Sequence, residues 1–379
     1  LQPLSFRVLL PPVMPKARYL APWHQVDLID AAKAIAADGE GKGLPLEDLE
    51  ELRGKPAIYH CLSRVVDRRF VLGDAEREQF VSYMRLYERF CQVRILNFCV
   101  MSNHFHLLVE VPFPPEGRGA DWSDKKLLRH LSILYAKRKL AAIRWQLELF
   151  RKQGNAAGAE KLRESYFRRM WDLSQFMKPL KQRFTRWFNK QHGRTGTLWE
   201  DRFDSILVED GHAARTIAAY IDLNPVRAKI VSTPEDYRWC SFGEAVAGKQ
   251  RAREGLQRVM YEKECTLTSE GRAAALLKVP SWRSVAQSYR HLMSLDLKRR
   301  PSKAEVNGLK PLSEAKALRC KVRFFIDGVA LGSQSFLGKL FVLNRGHFGP
   351  KRRTGPRKIR GIDTPLCTFR DLRREPLQT

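Results

Sequence analysis

Several things are missing from this chain. No apolar run is long enough to cross a bilayer, which removes a membrane-spanning helix. No C-x-x-C pair occurs, and the seven cysteines (Cys61, Cys91, Cys99, Cys240, Cys265, Cys320 and Cys367) are scattered and odd in number. That pattern argues against a disulfide framework or a zinc ribbon and for reduced thiols in a cytoplasmic setting. There is no Walker-type G-x-x-x-x-G-K loop, so nucleoside triphosphate chemistry has no cradle. The first twenty residues are interrupted by Pro3, Pro11, Pro12 and Pro15 and do not have a signal-peptide layout. No internal repeat is present.

Acid is also scarce. The chain carries 41 Asp and Glu against 68 Lys and Arg, a formal charge of +27. So positive a balance favours a polyanion, with nucleic acid as the default. An anionic membrane is the rival, but a long, clean basic amphipathic helix with an aromatic face is lacking, so no membrane partner is expected.

The 379 residues suit one large domain or two to three smaller ones, and 44% hydrophobic residues can build a substantial core. Residues 1–52 read as an extension, with helical stretches at Val26 to Ala37 and Leu46 to Leu52. A strand is expected at Ala57 to Val65, a helix at Asp74 to Cys91, and a second strand at Val93 to Met101. Ser102-Asn103 marks a turn. Leu107 to Val111 then reads as a third strand. This order suits an antiparallel or mixed sheet with helices packed on it. Residues 121–172 read as a helical insertion, with Glu148 to Arg168 polar almost all round and solvent-exposed or dynamic. Leu198 to Val208 should return to the sheet. Residues 250–300 look helical. Leu331 to Leu337 could open a helix near DNA, and a helix–turn–helix is one guess there.

The most informative segment is Met101-Ser-Asn-His-Phe-His-Leu-Leu-Val109. Alternation along a strand points His104 and His106 the same way and Phe105 the other. Two imidazoles on one sheet face make half of a metal site. Nine histidines in this length give about 0.2 such pairs by chance, so the pair alone is weak. A second segment, Ala219-Tyr-Ile-Asp-Leu-Asn-Pro-Val-Arg-Ala228, follows an alanine-rich helical stretch that Pro225 should end. Tyr220 and Asn224 are four apart and can share a helical face. A phenol offers a nucleophile and an amide oxygen offers a hard ligand, although a lone tyrosine is more often structural.

Taken together, these segments resemble the HUH single-tyrosine transposases, in particular the REP-associated branch of the insertion-sequence-200-like family. Three blocks carry the resemblance: Ala57-Ile-Tyr-His-Cys-Leu-Ser-Arg64 with Asp67-Arg-Arg-Phe-Val71; the histidine block; and Phe184 to Phe203 continuing through Tyr220 to Arg227. They cover about residues 53–245. The resemblance implies an α+β, ferredoxin-like HUH domain over 53–245, with a helical, basic extension over 246–379. It implies His104, His106 and Asn224 as ligands of Mg or Mn, and Tyr220 as the nucleophile. Such an enzyme cuts and rejoins single-stranded, hairpin-flanked DNA through a 5′-phosphotyrosine link, as a monomer or a homodimer. A hairpin-binding protein that no longer cuts, and a metal-dependent nuclease using water, are the alternatives. One departure is Arg64-Val65-Val66, where many relatives carry Arg-Gly-Asn.

A helix with Phe176, Leu180, Phe184 and Phe188 as its buried stripe is the best DNA-contact candidate, with Lys181, Arg183, Arg186 and Lys190 largely elsewhere on its surface. Gly193 closes it, and a basic turn holding Arg194 follows. Arg183, Arg186 and Arg194 are candidate phosphate contacts, as are Lys351, Arg352 and Arg353 in the tract Lys351 to Arg360. For the chemistry to work, the phenol must lie within roughly ten ångströms of the imidazoles.

Overall fold

Alternation along β1 (Ala57–Arg64) separates two faces. Ala57, Tyr59 and Cys61 enter one apolar cluster, whereas Ile58 enters the other. The computed structural model describes residues 20–24, 52, 54–119, 121–261, 280–294, 312–318, 320, 322, 325–326, 328–343 and 352–369. Of the helical stretches expected in the N-terminal extension, all but Leu52 lies outside these residues.

Helix α1 (Asp74–Cys91) follows β1, with Asp74 and Glu76 in its first turn, where acidic groups suit the helix dipole. Phe80, Met84, Tyr87 and Cys91 recur every three or four residues and form its buried stripe. Gln92, in the left-handed region at φ 54°, ends it. Strands β2 (Arg94–Val100) and β3 (His104–Val111) form a hairpin, and β3 pairs antiparallel with β1. A register shift between Ile95 and Asn97 places Leu96 and Asn97 on the same side, an extra residue of the kind a bulge supplies.

The insertion folds as α2 (Asp124–Leu131), α3 (Lys137–Lys152) and α4 (Ala156–Phe167). Most of Glu148 to Arg168 is exposed, as its polarity suggests, and one edge of α4 is buried. Helix α4 buries Ala159, Arg163 and Phe167. The Arg163 guanidinium pairs with Asp124 at 2.6 Å and also donates to the Trp122 carbonyl at 2.6 Å. Its charge is therefore compensated inside the insertion, which lets a polar helix dock.

Helix α5 (Leu173–Gln191) packs on α1 through Phe176, Leu180, Phe184 and Phe188, and Gly193 follows its end at φ 57°. Strand β4 (Asp204–Val208) pairs antiparallel with β1. It is shorter than Leu198 to Val208, because residues 200–202 bend and only Trp199 makes an isolated bridge, to Val65. Helices α6 (His212–Asp222) and α7 (Asn224–Arg227) come next. Pro225 does end α6, but the chain re-enters a helical turn at once, with Pro225 in its first positions, where a missing N–H costs nothing.

Helices α8 (Ser241–Val246), α9 (Gln250–Met260) and α10 (Trp282–Ser294) cover the α6 side. Gly255 brings α9 very close to the sheet, since a Cβ there would sit 2.6 Å from the Leu96 carbonyl oxygen. The remaining elements are β5 (Leu312–Ser313), α11 (Glu314–Ala317), β6 (Ala330–Gly332), α12 (Gln334–Leu343), β7 (Arg357–Lys358), β8 (Ile362–Asp363) and β9 (Cys367–Phe369).

Among the described residues the main sheet has seven strands in the order β2-β3-β1-β4-β6-β9-β7. Its first four follow the β-α-β-β-α-β ferredoxin-like pattern. Strand β6 joins β4 in parallel, so the whole sheet is mixed. The C-terminal residues thus extend the same sheet. Leu331 lies in a strand that leads into α12, which is a strand–helix unit and not a helix–turn–helix.

Candidate active site

Strand pleat decides which side chains can meet. In β3, Phe105 and Leu107 enter the α1/α5 cluster, and Leu108 enters the α6 cluster. His104 and His106 share the parity of Leu108, so they face α6. The two rings lie 5.1 Å apart, edge to face. His106 is 3% exposed. On β1, His60 opposes Leu108, which makes it a diagonal neighbour of His106. The His60 and His106 rings stack at 5.1 Å, 20° from parallel, with Nε2 of His60 2.9 Å from Nδ1 of His106. The other nitrogen of His60 meets the Phe325 carbonyl at 2.8 Å. His104 Nδ1 lies 2.6 Å from Asn103 Oδ1, and Asn103 Nδ2 donates to the Arg68 carbonyl.

Helix α6 is alanine-rich, and nearly every residue from Ala213 to Asp222 is buried. Small side chains let it lie flat on the sheet. They bring Tyr220 to 6.2 Å from His106 and 6.4 Å from His60, ring centre to ring centre. The Tyr220 ring thus lies within the roughly ten ångströms expected of the phenol. Asn224 stands one turn on, its Nδ2 donating to the Ile221 carbonyl at 3.2 Å, with the Tyr220 carbonyl at 3.5 Å.

Two further groups close the site. The Arg227 guanidinium lies over the Tyr220 ring, 4.0 Å from its centre, and donates to the carbonyls of Tyr220 and Leu318. The Phe325 ring stands edge-on to Tyr220 at 5.1 Å. As a result Tyr220 is only 2% exposed. Sequence reasoning did not single out His60, Arg227 or Phe325. The first two stood in quoted motifs, but their roles depend on strand register and on a helical turn, which composition does not reveal.

Burial sets the electrostatics. His106 is pushed well below its ordinary pKa by desolvation, with His60 and His104 adding to the effect. His60 falls to about 4, mainly by desolvation, with the Phe325 hydrogen bond opposing and Arg227 assisting. His106 is therefore neutral near pH 7, the state a metal ligand requires, and its neighbour His60 is neutral as well. Beside Tyr220, Asp222 is raised to about 6 by burial and held by Tyr289, Asn97 and the Phe242 amide. Among the described residues no three His, Cys, Asp or Glu side chains form a metal-holding group. The third donor that the resemblance implies is the Asn224 amide, which in this structure bonds to its own helix. Two imidazoles and an amide oxygen fit a divalent ion that accepts mixed nitrogen and oxygen ligands.

Residues 55–116 match a family model described as "Transposase IS200 like". This stretch is similar to the IS200-like transposases and spans about a sixth of the chain. It holds β1 to β3 with His104 and His106, whereas Tyr220 and Asn224 lie beyond it. No curated protein matches the chain. A solved structure of a REP-associated tyrosine transposase bound to a REP hairpin aligns at 15% identity, covering 56% of this chain and 89% of that one, with a TM-score of 0.33.

The basic candidates are not gathered at His104 and His106. Arg183 and Arg186 lie on α5, which packs against the opposite face of the sheet. Arg183 sits over the Tyr83 ring of α1 at 4.7 Å. Lys181 is not on the surface at all; it is buried and donates to the Asp201 carbonyl at 2.8 Å. Arg194 is nearer, because the turn after α5 runs into Trp199 and Glu200, which bond to Val65 and Arg64 at the end of β1 beside His104. Arg352 sits by Phe369 of β9, three strands from β1, with Arg353 next to it and exposed. Lys351 lies outside the described residues. No helix among the described residues is long and apolar enough to cross a membrane.

Proposed function

We propose that this chain cleaves and rejoins single-stranded, hairpin-flanked DNA through a 5′-phosphotyrosine link, as the REP-associated resemblance implies, in the presence of a divalent ion. The observation that carries this reading is the meeting of Tyr220 with His106, whose ring His104 flanks, across more than a hundred residues of chain. His104, His106 and Asn224 would hold the ion, which when bound offsets charge on the non-bridging phosphate oxygens. The net charge of +27 supplies affinity for the phosphate backbone.

Tyr220 attacks phosphorus through its phenolic oxygen. A new phosphorus–oxygen bond forms to the tyrosine, the bond to the 3′ oxygen breaks, and the phenolic proton ends on the released 3′-hydroxyl through solvent. The link keeps a phosphoester, so rejoining needs no nucleotide triphosphate. Arg227 favours the phenolate, because a cation stacked on the ring stabilises its negative form. His60 and His106, both held neutral, do not compete for that stabilisation. A strand reaches the phenol only once Phe325 moves aside.

That cover is also the observation that favours the second reading, a hairpin-binding protein that does not cut. Incubation of the full chain with Mn²⁺ and a labelled hairpin oligonucleotide, followed by a denaturing gel, separates them. A label carried at protein mass, lost in Tyr220→Phe with DNA affinity kept within about threefold, supports strand transfer. Binding without cutting supports the second reading. Free product without an adduct points to attack by water. Cleavage by Tyr220→Phe sinks the tyrosine as nucleophile.

A further inference from the structure

We propose that His60 is a positioning residue of the metal site: it fixes His106 in the tautomer protonated on Nδ1, so that Nε2 is the nitrogen presented to the ion. This rests on the metal reading above. The reasoning begins at the Phe325 carbonyl. An amide oxygen only accepts, so the His60 nitrogen 2.8 Å from it, Nδ1, carries the hydrogen. A neutral imidazole has one hydrogen, so Nε2 of His60 is left with a lone pair. The group 2.9 Å from that lone pair, Nδ1 of His106, must then donate. Nε2 of His106 is consequently the unprotonated nitrogen.

The opposite arrangement would keep the contact with His106 but point the His60 Nδ1 lone pair at the Phe325 carbonyl oxygen in a buried contact, with no compensating gain elsewhere. A doubly protonated His60 would need a buried positive charge near Arg227. His104 obeys the same logic independently. Asn103 Nδ2 donates to the Arg68 carbonyl, which fixes the amide with Oδ1 toward His104. His104 Nδ1 therefore donates, and its lone pair also lies on Nε2. The two histidines thus carry matching tautomers set by different partners.

Both His60 nitrogens are committed at hydrogen-bond distance, so His60 acts behind His106 and is not itself a ligand. Phe325, far outside the IS200-like stretch, becomes part of the site through its backbone.

The test uses the full chain. In metal-free protein with ¹⁵N-labelled histidine, long-range proton–nitrogen correlation should show His106 protonated on Nδ1 and bare on Nε2. Calorimetric titration with Mn²⁺ alone should show affinity about 10- to 100-fold weaker in His60→Phe, the usual effect of losing such a partner. His60→Gln, whose amide can donate to Phe325 and accept from His106, should recover most of it. An Nε2-protonated His106, or a folded His60→Phe protein that binds Mn²⁺ like wild type, overturns the proposal while leaving the metal reading intact. If wild-type protein takes up no Mn²⁺, the metal reading itself fails and this proposal fails with it. The nitrogen pattern is read on wild-type protein and does not depend on a variant folding.

Discussion

Tyr220 and Arg227 sit seven residues apart, two helical turns along the same strip of chain, and they share more than a contact. The guanidinium stacks on the phenol and is anchored by two carbonyls, so it cannot swing away to meet solvent. Replacing it should tell at one residue. Arg227→Met keeps the apolar stem but loses the charge, and a desolvated cation–π contact is worth about 2 kcal/mol. Adduct formation near pH 7 should slow roughly tenfold to thirtyfold. Arg227→Lys should fall between the two. An equal loss in Arg227→Lys and Arg227→Met would mean that Arg227 only holds the backbone.

Among the elements, legibility followed periodicity. Helix α1 was readable to its end residues because Phe80, Met84 and Tyr87 mark a single stripe. Strand β3 was readable because one face is histidine and the other apolar. The two- and three-residue strands β6, β7 and β9 were not, since so short a run has no alternation to detect. Nor was the tautomer partner of His106, because a diagonal neighbour is defined by register between strands 46 positions apart. The segment around Phe325 is the element whose removal should matter most for access. Phe325→Ala should expose Tyr220 and speed its modification by a phenol-nitrating reagent. It should also destabilise the fold by about 3–5 kcal/mol, the cost of an emptied aromatic site. Adduct formation should rise if displacement of Phe325 limits the rate. Unchanged nitration would show that the phenol is reached by another route.

On the scale of the whole molecule, buried histidines and a buried carboxyl pull stability in opposite directions with pH. His60 has a folded pKa of about 4 against an ordinary 6.5, so the unfolded chain binds its proton first as pH falls. Its contribution is present above pH 6.5 and is lost between 6.5 and 4, a loss of about 3 kcal/mol. His106 moves the same way. Asp222, raised to about 6, acts oppositely and gains stability as pH falls from 6 toward 4. His24 and His130 are also lowered, and His212 is raised, so with four histidines against Asp222 and His212, Tm should fall from pH 7 to pH 4.5, and His60→Phe should show a shallower fall. An identical slope in that variant would remove His60 from the balance.

Phe325 is encoded roughly a hundred residues after Tyr220. At a synthesis rate of about 5–20 residues per second, the phenol leaves the ribosome some seconds before the ring that shuts it in. For that interval the growing chain has Tyr220 uncapped, and synthesis of Phe325 is what allows it to close.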